Sequence, residues 1–327
     1  ACLKLLRDMF MLKPGETIAI TTDTMSSDEI VEATAQAAVI LGAKPLIFKI
    51  AAPEGAKAGD KDMPMKALID GIKACDAWVE FNYKLIFYST VYDKITEDPN
   101  NRPRYMNQNG VHPELLVRNI GKVDNILLNK FIQGFSDYCE AGHHMRFTTP
   151  AGTDMMFYKV GRDPGFFNGV LKDGKGYSSS SIEVYVPIEE TKTEGVMVLD
   201  GSLGYIGRAE EPTRILFKGG RITEIEETPT GIRLKKYMED YQDPRIYIAG
   251  ELGIGLNSCS QCLGNCYIED ESAYGTFHVG LGRNIALGGI QNAKGHFDLV
   301  CMEPDIYTDN RQIMQQGKVI IPEPVLY

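Results

Sequence analysis

Apolar positions along this chain follow two different periods, and the change between them comes after about residue 140. Residues 16–22 are a β-branched run entered through Pro14-Gly15. Ser26-Ser-Asp28 is a helix-capping signal, and the following residues, 29–41, keep a helical pattern until Gly42 stops them. A second strand is predicted at 45–50, a second helix at 63–74 and a third strand at 77–81. Strand, helix and strand at this spacing imply parallel βαβ units and an open sheet. No G-x-G-x-x-G follows the first strand, so nothing there supports a dinucleotide site. Residues 98–103 read as a turn-rich loop, and 117–135 as a strand and helix closing this half.

Beyond residue 140 short alternating runs dominate, at 154–160, 182–186, 195–199, 214–218 and 221–225, separated by Gly, Pro and Asp. Gly219-Gly220 between the last two is a hairpin signal. This pattern predicts a mainly antiparallel β domain with few helices. The fold expected is therefore α/β plus β-rich: an open parallel-sheet α/β domain over residues 1–138, then a mainly antiparallel β domain over 139–327. The chain's 327 residues suit two cores better than one.

Composition narrows the function. A net charge of −10, from 34 basic and 44 acidic residues, argues against nucleic acid or an anionic membrane surface as partner. No apolar run reaches the roughly 20 residues of a membrane span, and charges interrupt the opening segment where a signal peptide would be apolar. Seven cysteines cannot all pair within one chain, and together these features predict a reducing, cytoplasmic setting.

The chemistry-bearing residues cluster in the β-rich half. Only five histidines occur in the chain. Two of them, His278 and His296, lie in short glycine-flanked runs, and His296-Phe-Asp298 places an imidazole and a carboxylate on one face of a strand. Ile182-Glu183-Val and Gly250-Glu251-Leu-Gly-Ile-Gly add two glutamates in strand or turn settings. Each has a plainer reading: Glu183 as a solvent-facing strand position, Glu251 as a turn carboxylate, His278 as a satisfied core histidine. His296 with Asp298 is hardest to explain as scaffolding, since a strand seldom places two polar groups on one buried face.

Five motifs in this order, Ala151-Gly-Thr-Asp154, Ile182-Glu183-Val-Tyr-Val-Pro187, Gly250-Glu251-Leu-Gly-Ile-Gly-Leu-Asn257, Gly275-Thr-Phe-His278-Val-Gly-Leu-Gly282 and His296-Phe-Asp298, resemble the aminopeptidase T family of metallopeptidases. The same superfamily includes a ring-cleaving relative, 2,5-dihydroxypyridine 5,6-dioxygenase. The resemblance covers roughly 140–310 and implies a homodimer with a two-metal site. Its ligands would be Glu183, Glu251, His278, His296 and Asp298, binding Zn, Mn, Co or Fe. Three carboxylates, two divalent cations and one hydroxide sum to no net charge, which suits a partly buried centre. The implied activity is cleavage of an amide or peptide bond in a small molecule or short peptide by a metal-bridging hydroxide, with Glu183 or Glu251 assisting. One departure counts against peptidase chemistry. The peptidases carry a tyrosine after the strand histidine, and residues 283–287 here read Arg-Asn-Ile-Ala-Leu.

The alternative implied by the ring-cleaving relative uses one Fe(II) on His278, His296 and Asp298, a facial triad of two histidines and one carboxylate. Retention of both glutamates favours the hydrolase, and a metal-binding, non-catalytic homologue is the third reading. Cys259-Ser-Gln-Cys262-Leu-Gly-Asn-Cys266 fits no standard metal spacing and reads as reduced thiols. His143 and His144 read as surface or domain-junction residues. In the first domain, His112 and Tyr83 are candidates for the substrate wall, reaching a site in the cleft between domains.

Overall fold

The computed structural model describes the chain except for residues 99, 160, 172–175 and 322–327. One position of the expected 98–103 loop and the last of the 154–160 run therefore lie outside the described residues. The chain divides into two compact units, Ala1–Val123 with Asn168–Ser180, and Asp124–Phe167 with Ser181–Tyr327. The division expected after residue 138 would cut a continuous helix, Asn125–Ala141, and would miss the return of 168–180 to the first unit.

Among the described residues the first unit holds one five-stranded sheet. Its strands are β1 (Thr17–Asp23), β2 (Lys44–Ile50), β3 (Ala77–Glu80), β4 (Arg104–Asn107) and β8 (Tyr177–Ser179), ordered β2-β1-β3-β4-β8 and parallel throughout. The helices Asp28–Ile40 and Met65–Lys73 lie where the pattern predicts them. Ser27 occupies the N-cap of the first with extended backbone, and Asp28 and Glu29 offset the dipole of its first turn. Its neighbour Ser26 turns away and donates to Asp23 Oδ1 at 3.1 Å. A cluster around Trp78, Phe87 and Tyr105 fills the core, and the Trp78 indole donates to Thr21 Oγ1 at 2.9 Å.

The strand expected after residue 117 is helical instead. Pro113 opens a helical stretch, Pro113–Leu116 continued by a π-turn at Val117–Gly121, and Asp124 caps Asn125–Ala141 by accepting from the N–H groups of Ile126 and Leu127. The missing strands are β4, before that segment, and β8, long after it.

Among the described residues the named strands of the second unit all pair antiparallel. One sheet has eight strands: β5 (His144–Thr148), β6 (Asp154–Tyr158), β10 (Glu194–Leu199), β11 (Thr213–Lys218), β12 (Arg221–Ile225), β16 (Asp305–Thr308), β17 (Arg311–Gln315) and β18 (Lys318–Val319), in the order β12-β11-β10-β6-β5-β16-β17-β18. The other has five: β7 (Gly165–Phe167), β9 (Glu183–Pro187), β13 (Ala249–Gly255), β14 (Thr276–Gly282) and β15 (His296–Met302), in the order β15-β14-β13-β9-β7. Gly219 and Gly220 join β11 to β12 with φ of 55° and 78°, the left-handed pair that a two-residue hairpin requires. Among the described residues the α-helices of this unit are few, as the pattern predicts. Besides Asn125–Ala141 there are Tyr267–Ser272 and Pro229–Asp240, the latter capped by Thr228 with proline at its first turn.

β13 and β14 are buried along their whole length. On one face of their sheet Phe277 packs against Phe147 of β5, ring centroids 4.9 Å apart, and Phe297 packs against Tyr237 and Tyr241 of the Pro229–Asp240 helix. The other face is left for chemistry.

Candidate metal centre

Alternation along four adjacent strands puts every expected ligand on that free face. Glu183 comes from β9, Glu251 from β13, His278 from β14, and His296 and Asp298 from β15. Glycines stand beside them in register. Gly253 pairs with His278, and Gly280 pairs with both Glu251 and Asp298. A Cβ at Gly280 would lie 2.8 Å from Glu251 Oε2 and 2.8 Å from His296 Cε1. These positions are empty of side chain because the ligands of the neighbouring strands fill the space above them. A bulge between Ala249 and Glu251 shifts the register by one residue and turns Glu251 onto the ligand face. Asn284 Nδ2 holds the bulge by donating to Gly250 O at 3.0 Å and to Glu190 Oε1 at 2.9 Å, and Arg162 clamps Glu190 with two bonds of 2.8 and 2.9 Å.

The result is two overlapping groups, Glu183–Glu251–His278 and Glu251–His296–Asp298, each with ligand atoms within 4.8 Å of one another. His278 Nε2 lies 3.0 Å from Glu183 Oε2 and 3.9 Å from Asp298 Oδ1. His296 Nε2 lies 3.2 Å from Glu251 Oε2 and 3.3 Å from Asp298 Oδ2. His296 Nδ1 pairs with the carbonyl of Arg283 at 2.8 Å, which assigns the proton to Nδ1 and turns the Nε2 lone pair inward. Glu183 Oε2, Asp298 Oδ1 and His278 Nδ1 are buried without a directed hydrogen bond.

Electrostatics point the same way. Burial drives the Glu183 carboxyl up from its ordinary value, opposed by His278. Burial would lower His278, but the Glu183 carboxylate outweighs it and holds the imidazole up at about 9. Asp298 is held low because His296 and His278 outweigh its burial. The proton held on His278 offsets part of the buried carboxylate charge, and a divalent cation can take its place. Imidazole and carboxylate donors with orphaned oxygens suit a divalent transition metal, so the residues present fit a metal.

A further carboxyl, Glu271, lies at the same centre and was not expected from the sequence. It is buried, accepts a hydrogen bond of 3.0 Å from Ser181 Oγ, and touches Asp298. Burial, then Asp298 and Glu183, push it well above the usual carboxylate range.

Other candidates fall elsewhere. Tyr83 is exposed, and His112 stands before the helix Pro113–Leu116 with Nδ1 2.9 Å from Glu114; both belong to the first unit. His144 pairs with Asp309 at 3.0 Å and Asp154 with Arg146 at 2.7 Å. Tyr274 accepts from the Val319 N–H at 2.9 Å. Tyr237 and Tyr241 reach the opposite face of the ligand sheet, so neither replaces the tyrosine missing at 283–287. Among the described residues no metal-holding group includes a cysteine. Burial pushes Cys262 and Cys266 up to about 12, which keeps them as thiols.

Three comparisons bear on this centre. The family model NicX, described as 2,5-dihydroxypyridine 5,6-dioxygenase, matches residues 3–321. A 2,5-dihydroxypyridine 5,6-dioxygenase of Pseudomonas putida KT2440 is 28% identical over 146 residues, a segment spanning 41% of this chain and 41% of that protein. In fold, the structure of 2,5-dihydroxypyridine dioxygenase from Pseudomonas putida KT2440 superposes with a TM-score of 0.78 at 21% identity, covering 98% of this chain and 95% of that one. AmpT from Thermus thermophilus superposes with a TM-score of 0.67 at 16% identity, covering 98% of each chain.

Proposed function

The chain belongs to the 2,5-dihydroxypyridine 5,6-dioxygenase family, and from that premise we propose that it is an Fe(II)-dependent, ring-cleaving dioxygenase acting on a hydroxylated N-heteroaromatic. The observation that carries this reading beside the family match is the placement of Asp298. One carboxylate oxygen approaches His278 and the other His296, at 3.9 and 3.3 Å, so that two imidazoles and one carboxylate converge. His278, His296 and Asp298 would hold the metal and leave other positions for substrate and dioxygen. Fe(II), if bound there, would mediate electron transfer from an electron-rich ring to dioxygen, the ring being oxidised and dioxygen reduced. Glu183 would accept a hydroxyl proton from the substrate, a role supported by the burial that raises its basicity. Glu251 fixes His296 from the other side at 3.2 Å. Tyr185, two residues from Glu183 on the same strand face, and Phe167, opposite Glu183 in register, set two rings 5.1 Å apart beside the carboxylates. That aromatic surface suits a planar ring.

The two overlapping ligand groups favour a second reading, a dinuclear hydrolase of small amides, in which Glu251 serves both metals. The likeness to AmpT supports that reading only in fold. Metal analysis of anaerobically prepared protein, with oxygen uptake on 2,5-dihydroxypyridine, separates the two. One iron per chain and oxygen consumption support the dioxygenase. Two metals per chain with oxygen-independent amide turnover would establish the hydrolase instead. Metal uptake without either activity would mean a non-catalytic homologue.

A further inference from the structure

Glu271 has no part in the chemistry above, yet its surroundings tie it to both ends of the ligand set. It lies at the end of the helix Tyr267–Ser272 and is 5% exposed. One oxygen, Oε2, accepts from Ser181 Oγ at 3.0 Å. The other, Oε1, and Asp298 Oδ1 receive no hydrogen bond from any third group, and the Glu271 and Asp298 carboxyls lie within hydrogen-bonding reach of each other. The next residue, Ser272, accepts through Oγ from the N–H of Ile182 at 2.8 Å. The end of one short helix thus grips Ser181 and Ile182, the two residues that lead into Glu183, and at the same time meets Asp298.

This link has a geometric consequence. Glu183 is carried by β9 and Asp298 by β15, and in the sheet those strands are separated by β13 and β14. No backbone hydrogen bond joins β9 to β15, so sheet twist alone would set the spacing of the two carboxylates. Glu271 spans that gap from outside the sheet. A buried, oxygen-rich side chain contributes most when it fixes other groups, because an unfixed buried carboxyl only adds desolvation cost.

We propose that Glu271 is a positioning residue of the metal centre, linking Ser181 beside Glu183 to Asp298 and so fixing the distance between carboxylates from two non-adjacent strands. The proposal deepens the metal-centre reading and rests on it. Two substitutions test it: Glu271→Gln, which keeps length and hydrogen-bonding atoms, and Glu271→Leu, which keeps volume and loses them. Metal-free full-length protein is titrated with Co(II) against a chelator, and the visible ligand-field spectrum is recorded. Expected is a 10- to 100-fold weaker Co(II) affinity and a shifted spectrum for Leu, with Gln within about threefold of the parent. If Leu binds Co(II) like the parent with the same spectrum, Glu271 positions nothing. If Gln loses as much as Leu, the carboxylate itself is a ligand and the positioning role is wrong. Should Leu fail to fold, Ser181→Ala replaces it: weaker Co(II) binding supports the link, and unchanged binding overturns it. A parent protein that takes up no Co(II) overturns the metal centre and this role with it, whereas normal parent uptake with unaffected variants overturns this role alone.

Discussion

Gly253→Ala adds a single methyl group and tests whether His278 is a ligand at all. A Cβ at this position would lie 1.9 Å from His278 Nε2, 2.1 Å from Cε1 and 2.7 Å from Cδ2. Ordinary contact begins at 3.4 Å, so the imidazole must retreat by about 1.5 Å, the difference between 3.4 and 1.9 Å. His278 is 1% exposed, so the ring has no solvent to swing into. Sites of this kind tolerate displacements of about 0.5 Å. Outer-shell changes alone cost about 10- to 100-fold in metal affinity, so displacing the ligand atom is expected to cost about 100-fold or more. Overpacking costs the fold about 1–3 kcal/mol, which lowers the melting temperature by some degrees and leaves the chain folded at 25 °C. The assay is chelator competition on metal-reconstituted protein, with thermal unfolding of the metal-free form beside it. Gly253→Ala protein with parental metal content and an affinity within threefold would show that the ring is not a ligand, and the argument from register would fail.

On the two-metal reading Glu251 belongs to both ligand groups and Glu183 to one, so Glu251→Ala should abolish metal uptake in both groups and Glu183→Ala should spare uptake by Glu251, His296 and Asp298, whereas on the one-iron reading neither variant removes a ligand and both should still take up iron. Equal metal content in the two variants would contradict the shared role of Glu251. In the first unit, burial raises Glu80 from 4.5 to about 7, against hydrogen bonds from Tyr105 and the N–H groups of Ile86 and Phe87. The unfolded chain releases this proton first. Stability from Glu80 is therefore full below pH 4.5 and is lost as pH rises to about 7, by about 3 kcal/mol. Glu80→Gln should flatten unfolding free energy over that window, and an unchanged slope would place the titration elsewhere. Of seven thiols, Cys2 and Cys259 are partly exposed and the rest buried, so a thiol reagent at pH 8 should find two fast groups in native protein and seven after denaturation. Rapid labelling of Cys262 or Cys266 would show that their loop opens.

The five candidate ligands are legible because the face they share is written at a spacing of two. In Glu251-Leu-Gly-Ile-Gly and His278-Val-Gly-Leu-Gly the ligand and the glycines share one side of a strand, and the apolar residues between them share the other. That pattern survives any tertiary arrangement. Glu271 was not legible. It ends an acidic run on a six-residue helix, and such a run usually faces water; only the sheet beneath buries it. The helical stretch at 113–121 was misread because Val117 suggested a strand, while Pro113, the stronger local signal, fixed a helix start. β8 has three residues, two of them serine, and no alternation that a period could detect. The hydrolase was favoured on the two glutamates, whose retention says that a metal centre is rich in carboxylate and does not say which reaction it runs.

The late arrival of β8 also bears on how the chain is made. Four strands of the first sheet lie within residues 17–107, and the fifth follows only at Tyr177–Ser179. Until the ribosome has delivered that segment, β4 exposes a row of unpaired N–H and C=O groups, the sort of edge that recruits strands from other chains. At 5–20 residues per second, the gap of about 70 residues between β4 and β8 leaves that edge open for several seconds during synthesis. The same edge would stay open permanently in a fragment ending at residue 138. The amino-terminal unit is therefore continuous in space but not in time, and its completion depends on chain made after the second unit has begun.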